Sequence, residues 1–390
     1  MINQKMYELG SNGSIIRELA AYGSARAAEI GPENVFDFTI GNPSLPLPDE
    51  ITRTAVEILT KEDPISTHSY TSAAGDHATR LAIAKDLNAR FGLDVTPEEL
   101  IIGCGSSQEL VGVFYALAVP GAEFLTVAPY FPEYKVYVEQ CGGIFKAVPA
   151  DIPNFQINLD KLAEMINPNT VALILNSPNN PSGVVYTRKT LNALADLLRQ
   201  KSAQFGHPIY IVADEPYREL AYDGVEVPFI PTIYADTIVC YSYSKCLSLP
   251  GERIGYIYIP QNTSDGAALH AAITGGVRVS GHICAPSLWQ KVLARCAHVQ
   301  PDLTSYDQNR KALYQGLLDA GYEAAKPDGA FYLFVKAPGG DATAFCKKAM
   351  EKDLLVVPGD DFGCPGYFRL CYCVDHDKIL RSLPVFKSLI

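Results

Sequence analysis

The chain lacks any apolar run approaching the roughly 18 uninterrupted residues that a membrane-spanning helix requires. Its first ten residues, Met1 to Gly10, contain no basic stretch leading into an apolar core, so no secretory leader is read there and a cytoplasmic protein is expected. Positive charge is in deficit: 32 Lys and Arg stand against 43 Asp and Glu, a formal net charge of -11. A phosphate backbone or an anionic bilayer is normally met by a basic face, so neither nucleic acid nor a membrane is expected as a partner. Cysteine is sparse, ten in 390 residues, too dilute for a disulfide scaffold. Only Cys371 and Cys373 fall within two residues of each other, and no second Cys or His pair stands at zinc-finger spacing. They read as reduced, buried, inert thiols, and no metal is expected. Internal repeats and low-complexity tracts are missing too.

What is present is the composition of a chain that folds throughout, with 48% hydrophobic and 19% charged residues. Short β-branched runs alternate with stretches of helical spacing, which predicts an α/β fold with a mainly parallel sheet covered by helices. The predicted strands are Leu100 to Ile102, Phe124 to Val127, Val171 to Leu175, Ile209 to Val212, Ile238 to Tyr241 and Ile254 to Ile259. Thr187 is placed to cap a crossover helix through about Arg199, with Leu191, Leu194, Leu197 and Leu198 on one face. A helix over Pro286 to Val299 and strand signals at Phe331 to Val335 and Phe368 to Cys373 predict a smaller α+β domain. The expected division is an N-terminal arm over 1–46 that contributes to the small domain, a large domain over 47–275 and the small domain over 276–390.

The segment Ser242 to Gly255, SYSKCLSLPGERIG, sets a lysine in a small-residue loop with an arginine eight positions on. Lysine attacks a carbonyl only when neutral, so a site using Lys245 must depress its pKa by burial or by a neighbouring cation such as Arg253. Arginine also matches phosphate oxygens with paired donors, and the Ser242 and Ser244 hydroxyls can add hydrogen bonds. Asp214 directly follows an apolar strand, at the sheet edge where α/β proteins bind ligands; it could equally cap a following helix together with Glu215. Ile101 to Leu110 reads as strand, glycine turn and helix start, so free backbone N–H groups and the helix dipole converge at Gly105, Ser106 and Ser107, where a phosphate fits.

The pattern S-x-S-K-x-x-S-L-x-G-x-R-I-G resembles the cofactor-lysine signature of the class I/II aminotransferases, the aspartate-aminotransferase-like fold type I enzymes. The resemblance covers essentially the whole chain. It implies pyridoxal 5'-phosphate held covalently by Lys245, with Asp214 on the pyridine nitrogen and Tyr217 and Asn180 on the phenolic oxygen. It implies a stacking role for Phe131, which otherwise reads as packing, and a clamp on the substrate α-carboxylate for Arg369, which otherwise reads as a surface-strand arginine. The turn Gly41-Asn42-Pro43 resembles the substrate-facing turn, and Tyr70 with Gly75 resembles the segment that reaches a neighbouring subunit's phosphate. A homodimer with shared sites follows, acting on amino acids and 2-oxo acids by a ping-pong transamination. Ser107 stands where some acidic-substrate relatives carry lysine, and Arg278 is a substitute cation for an aspartate or glutamate side chain. A pyridoxal-phosphate-dependent C–S lyase on the same fold is the alternative activity, and a cofactor-binding regulator without catalysis a remote one.

Overall fold

The structure, a computed structural model, describes residues 1–11, 13 and 15–390. Twelve strands are found among the described residues: β1 (Phe36–Asp37), β2 (Leu100–Gly103), β3 (Glu123–Val127), β4 (Ile144–Val148), β5 (Thr170–Asn176), β6 (Tyr210–Asp214), β7 (Thr237–Ser242), β8 (Gly255–Tyr258), β9 (Tyr332–Lys336), β10 (Leu354–Leu355), β11 (Val357–Pro358) and β12 (Tyr367–Cys371). Seven of them form one sheet in the order β2-β8-β7-β6-β5-β3-β4. The run from β4 to β7 is parallel, and β8 lies antiparallel to both its neighbours. Strands β2, β3, β6, β7 and β8 are buried at every position, which is why they read as continuous apolar runs rather than alternating ones.

The predicted strands all coincide with observed ones; the two-residue strands β1, β10 and β11 were not foreseen, and neither was β4. It is an edge strand, IFKAV, whose apolar run is broken by Lys146, and that lysine reaches back to Glu123 at 2.6 Å. The crossover helix runs over Arg188–Phe205, and the Thr187 side chain accepts from the Thr190 N–H as the cap. Leu191, Leu194 and Leu198 are buried in it, and it runs past Arg199 until Gly206, at φ 76°, turns the chain out. The helix expected over Pro286 to Val299 is shorter, Ser287–Cys296.

A second sheet, β11-β12-β9, is antiparallel, with Arg369 opposite Phe334 and Cys371 opposite Tyr332. The N-terminal segment joins this region: β1 pairs in parallel with β10, Phe36 opposite Leu354. The residue expected to open the small domain, Gly276, lies inside the helix Gly266–Val279. A Cβ there would stand 2.0 Å from the Gly112 carbonyl, so the paired glycines let this helix approach Ser106–Leu117 closely.

Candidate active site

The parallel strands β5, β6 and β7 end side by side at Asn176, Asp214 and Ser242, and β2 ends beside the antiparallel β8 at Gly103. Carboxyl ends of parallel strands leave a crevice at the sheet edge. A cavity there is lined by Gly41, Ser106, Ser107, Phe131, Asn180, Asp214, Tyr217, Ser242, Ser244, Lys245, Arg253 and Arg369, so one wall gathers most of the residues singled out from the sequence. Gly105, which precedes Ser106, is not in the lining itself, and neither are Tyr70 and Arg278. Tyr70 is 96% exposed and lines a separate depression with Ser66 and Asp76, and Arg278 is exposed on the helix Gly266–Val279.

Lys245 follows β7 on a single helical turn, Tyr243–Cys246, capped by the Ser242 hydroxyl on the Ser244 N–H. Its Nζ donates to the Gly41 carbonyl at 2.7 Å. Burial lowers its pKa, and the Arg369 and Arg253 charges push the same way against the opposing pull of Cys373 and Cys371. That is the depression a carbonyl-reactive lysine needs, with burial as the larger cause.

Asp214 is buried, and no helix begins at it, so the capping alternative falls away. Tyr134 donates to its Oδ2 at 2.5 Å, and the Asn176 amide donates to its backbone carbonyl at 2.8 Å. Burial raises its pKa to about 7, against the hydrogen bond from Tyr134 and the nearby Ser106 hydroxyl, which favour the ionised form. Its Oδ1 is buried without a partner.

Arg369 is only 2% exposed, in the middle of β12, so it is no surface arginine. It donates to Asn180 Oδ1 at 3.0 Å and to the Thr39 carbonyl, and its guanidinium lies 4.8 Å from the Tyr332 ring centre and 5.1 Å from that of Phe362. Its Nε has no partner. Tyr217 meets the Tyr332 hydroxyl at 2.9 Å. Arg253 bonds Ser244 Oγ at 3.4 Å, and Ser242 and Ser244 share a hydrogen bond at 2.7 Å. Gly105 has φ 82° and precedes Ser106–Leu117; a Cβ on it would stand 2.6 Å from Arg253 Nη2.

Tyr134, Asn176 and Tyr332 were not singled out from the sequence, and neither were Ile16 and Ile40, which supply apolar wall. The available signal for Tyr134 was its place three residues after Phe131. Tyr332 follows a glycine-containing turn into a strand, with nothing local to separate it from core aromatics.

A mostly parallel sheet with one antiparallel strand, and a half-buried lysine with a buried aspartate and arginine brought to its carboxyl edge, define a fold type I α/β enzyme. Residues 33–383 match the model of the family described as aminotransferase class I and II, and the chain belongs to that family. It is 30% identical over 377 residues to the aspartate/prephenate aminotransferase of Thermus thermophilus, covering 94% of each chain. It is 28% identical over 359 residues to the aspartate aminotransferase of Thermotoga maritima, covering 90% of each. An aminotransferase structure from Eubacterium rectale superposes with a TM-score of 0.98 at 51% identity, covering 100% of this chain and 98% of that one. The protein is a pyridoxal-phosphate-dependent transaminase.

The residues present fit that cofactor. The orphaned Asp214 Oδ1 matches a pyridine N–H, a buried acceptor that otherwise goes unsatisfied. Ser106, Ser242, Ser244 and Arg253 form a donor set for a phosphate at the start of a twelve-residue helix, and Gly105 leaves open the space that a side chain would fill beside Arg253.

Proposed function

We propose that the chain moves the α-amino group of an acidic amino acid, aspartate or glutamate, to a 2-oxo acid by a ping-pong cycle, as a cytoplasmic homodimer with shared sites. The observation that carries this reading is the convergence of Lys245, Asp214 and Arg369 on one cavity. Arg369 grips the substrate α-carboxylate through a bidentate pair and so orients the Cα–H bond. Lys245 holds the cofactor, and its amine, once displaced, moves the proton at Cα. Bound pyridoxal phosphate supplies an electron-accepting ring, and Asp214 keeps its nitrogen protonated. Phe131 stacks on that ring, and Asn180 and Tyr217 donate towards its phenolic oxygen.

Among the described residues that line the cavity, the cations are Lys245, Arg253 and Arg369, and each already has a task. A distal carboxylate therefore needs a further cation, and Arg278 is proposed to come from the second copy, as Tyr70 is for the phosphate. Exposed Ile65, Tyr70, Val279 and Ile283 around these two residues favour a covered surface, and ten free thiols favour a reducing compartment. The arm over 1–46 is proposed to belong with the small domain, which its β1–β10 pairing supports, and the boundary to lie beyond the helix Gly266–Val279. A second reading, an apolar or aromatic side chain on the substrate, is favoured by the Ile16, Ile40 and Tyr332 wall.

Amino acids added singly to the holoenzyme decide between these. Aspartate or glutamate should bleach the visible band and release its 2-oxo acid without ammonia, and a second 2-oxo acid should restore the colour. Arg278→Ala should selectively weaken the acidic donors. Ammonia and thiol as products would instead establish a C–S lyase, and a preference for tyrosine or phenylalanine untouched by Arg278→Ala would establish the second reading.

A further inference from the structure

Three carbonyls of the segment Thr39 to Asn42, which lines the cavity at Ile40 and Gly41, each accept from a side chain. Arg369 donates to Thr39 O, Lys245 to Gly41 O at 2.7 Å, and the Cys373 thiol to Asn42 O at 3.0 Å. A cysteine thus shares in holding the turn that also forms cavity wall at Gly41. Cys371 lies two residues before Cys373, at the end of β12, and residues at that spacing in extended chain share a face. The two sulfurs are 2.9 Å apart, and among the described residues no other two of the ten thiols hydrogen-bond each other.

The pair is also chemically asymmetric. Burial pushes the Cys371 thiol up, but the hydrogen bond from Cys373 and the Arg369 charge bring it below its usual value, helped by Lys245 while its amine is free. Burial and the neighbouring sulfur push Cys373 up. Cys371 is therefore the more readily deprotonated of the two and Cys373 the less, the division that thiol oxidation uses.

We propose that Cys371 and Cys373 are a redox-active dithiol, which hydrogen peroxide converts to a disulfide, loosening the Gly41–Asn42 turn and weakening amino-acid binding. The Cys371 thiolate attacks one peroxide oxygen and breaks the O–O bond. This gives a sulfenic acid and a hydroxide that leaves as water after taking a proton. The Cys373 sulfur then attacks the sulfenic sulfur, forming the S–S bond and expelling the second water. Two thiols are oxidised and one peroxide is reduced to two waters. Cys373 can no longer donate to Asn42 O, so the turn loses a tether. The covalent step is independent of substrate identity; only its effect on amino-acid binding rests on the transaminase reading.

The test treats holoenzyme with hydrogen peroxide, alkylates it, digests it with trypsin and weighs the peptide Leu370 to Lys378, whose only cysteines are Cys371 and Cys373. That peptide should escape alkylation and be about 2 Da lighter than its reduced form. The KM for the amino donor should rise by about five- to tenfold, the worth of one hydrogen bond, with kcat little changed and the visible band retained. Dithiothreitol should reverse both changes, and Cys373→Ser should show neither on peroxide treatment. A peptide that stays reduced while other cysteines oxidise, or that gains oxygen without forming the disulfide, overturns the dithiol. A disulfide that forms with KM unchanged overturns its control of binding and leaves the transaminase reading intact.

Discussion

Tyr134 donates its hydroxyl to Asp214 Oδ2 at 2.5 Å, with both residues buried, so one carboxylate oxygen is held while the other is left open. A hydrogen bond to a charged group is worth about 1.5–3 kcal/mol, and a single strong donor biases Asp214 towards the form a ring N–H requires. Tyr134→Phe should therefore weaken pyridoxal-phosphate binding by roughly tenfold or more, read by titrating the visible band. Unaltered affinity would reduce the Tyr134 hydroxyl to a packing group.

Asp214 gives a second expectation, in pH. Burial raises its folded value to about 7, above that of an unfolded aspartate, so the ligand-free fold keeps a proton that the unfolded chain releases. Its stabilisation is present at low pH and is lost as pH rises through about 4 to 7. Relative to Asp214→Asn, cofactor-free wild type should lose stability across that window, on the order of 4 kcal/mol at most, as measured by urea unfolding. Saturating cofactor should flatten the slope, because the ring N–H favours the carboxylate.

At Gly105 a positive φ coincides with a Cβ position 2.6 Å from Arg253 Nη2. Gly105→Ala strains the backbone and displaces the arginine together. Affinity for pyridoxal phosphate should drop by at least about tenfold, while affinity for pyridoxal, which lacks the phosphate, should change far less. An equal loss for both ligands would place the damage in the fold rather than in the phosphate cradle.

As the proposed clamp on the substrate carboxylate, Arg369 should separate binding of substrate from binding of cofactor. Lysine lacks the planar fork that pairs with a carboxylate, so Arg369→Lys should raise the KM for the amino donor by about a hundredfold while the visible band stays. Steady-state kinetics with the spectrum taken in parallel checks this. Loss of the band would show that Arg369 supports the cofactor pocket as well.

The legible parts of the molecule were those whose chemistry is local. Strands buried on both faces announce themselves as unbroken apolar runs, and Lys245 and Arg253 stand in one short segment with their serines. Asp214 was legible because a strand ends on it. Tyr134 and Tyr332 were not, since a hydroxyl in a run of aromatics reads as core until the fold brings it to Asp214 or Tyr217. Strand β4 was hidden by Lys146, whose ion pair with Glu123 exists only once the edge is formed. The helix Ile15–Ile30 carries Ile16 to the cavity from the far end of the chain, a placement that no spacing in the sequence encodes.

The central claim is that Lys245 carries the cofactor. It is tested most directly by incubating the protein with pyridoxal phosphate, reducing the covalent link with borohydride, digesting, and locating the phosphopyridoxyl group by mass spectrometry. The label should fall on Lys245 alone and be missing from Lys245→Ala, with that variant still folded by circular dichroism. A label confined to another lysine, or its persistence in Lys245→Ala at wild-type yield, would contradict it.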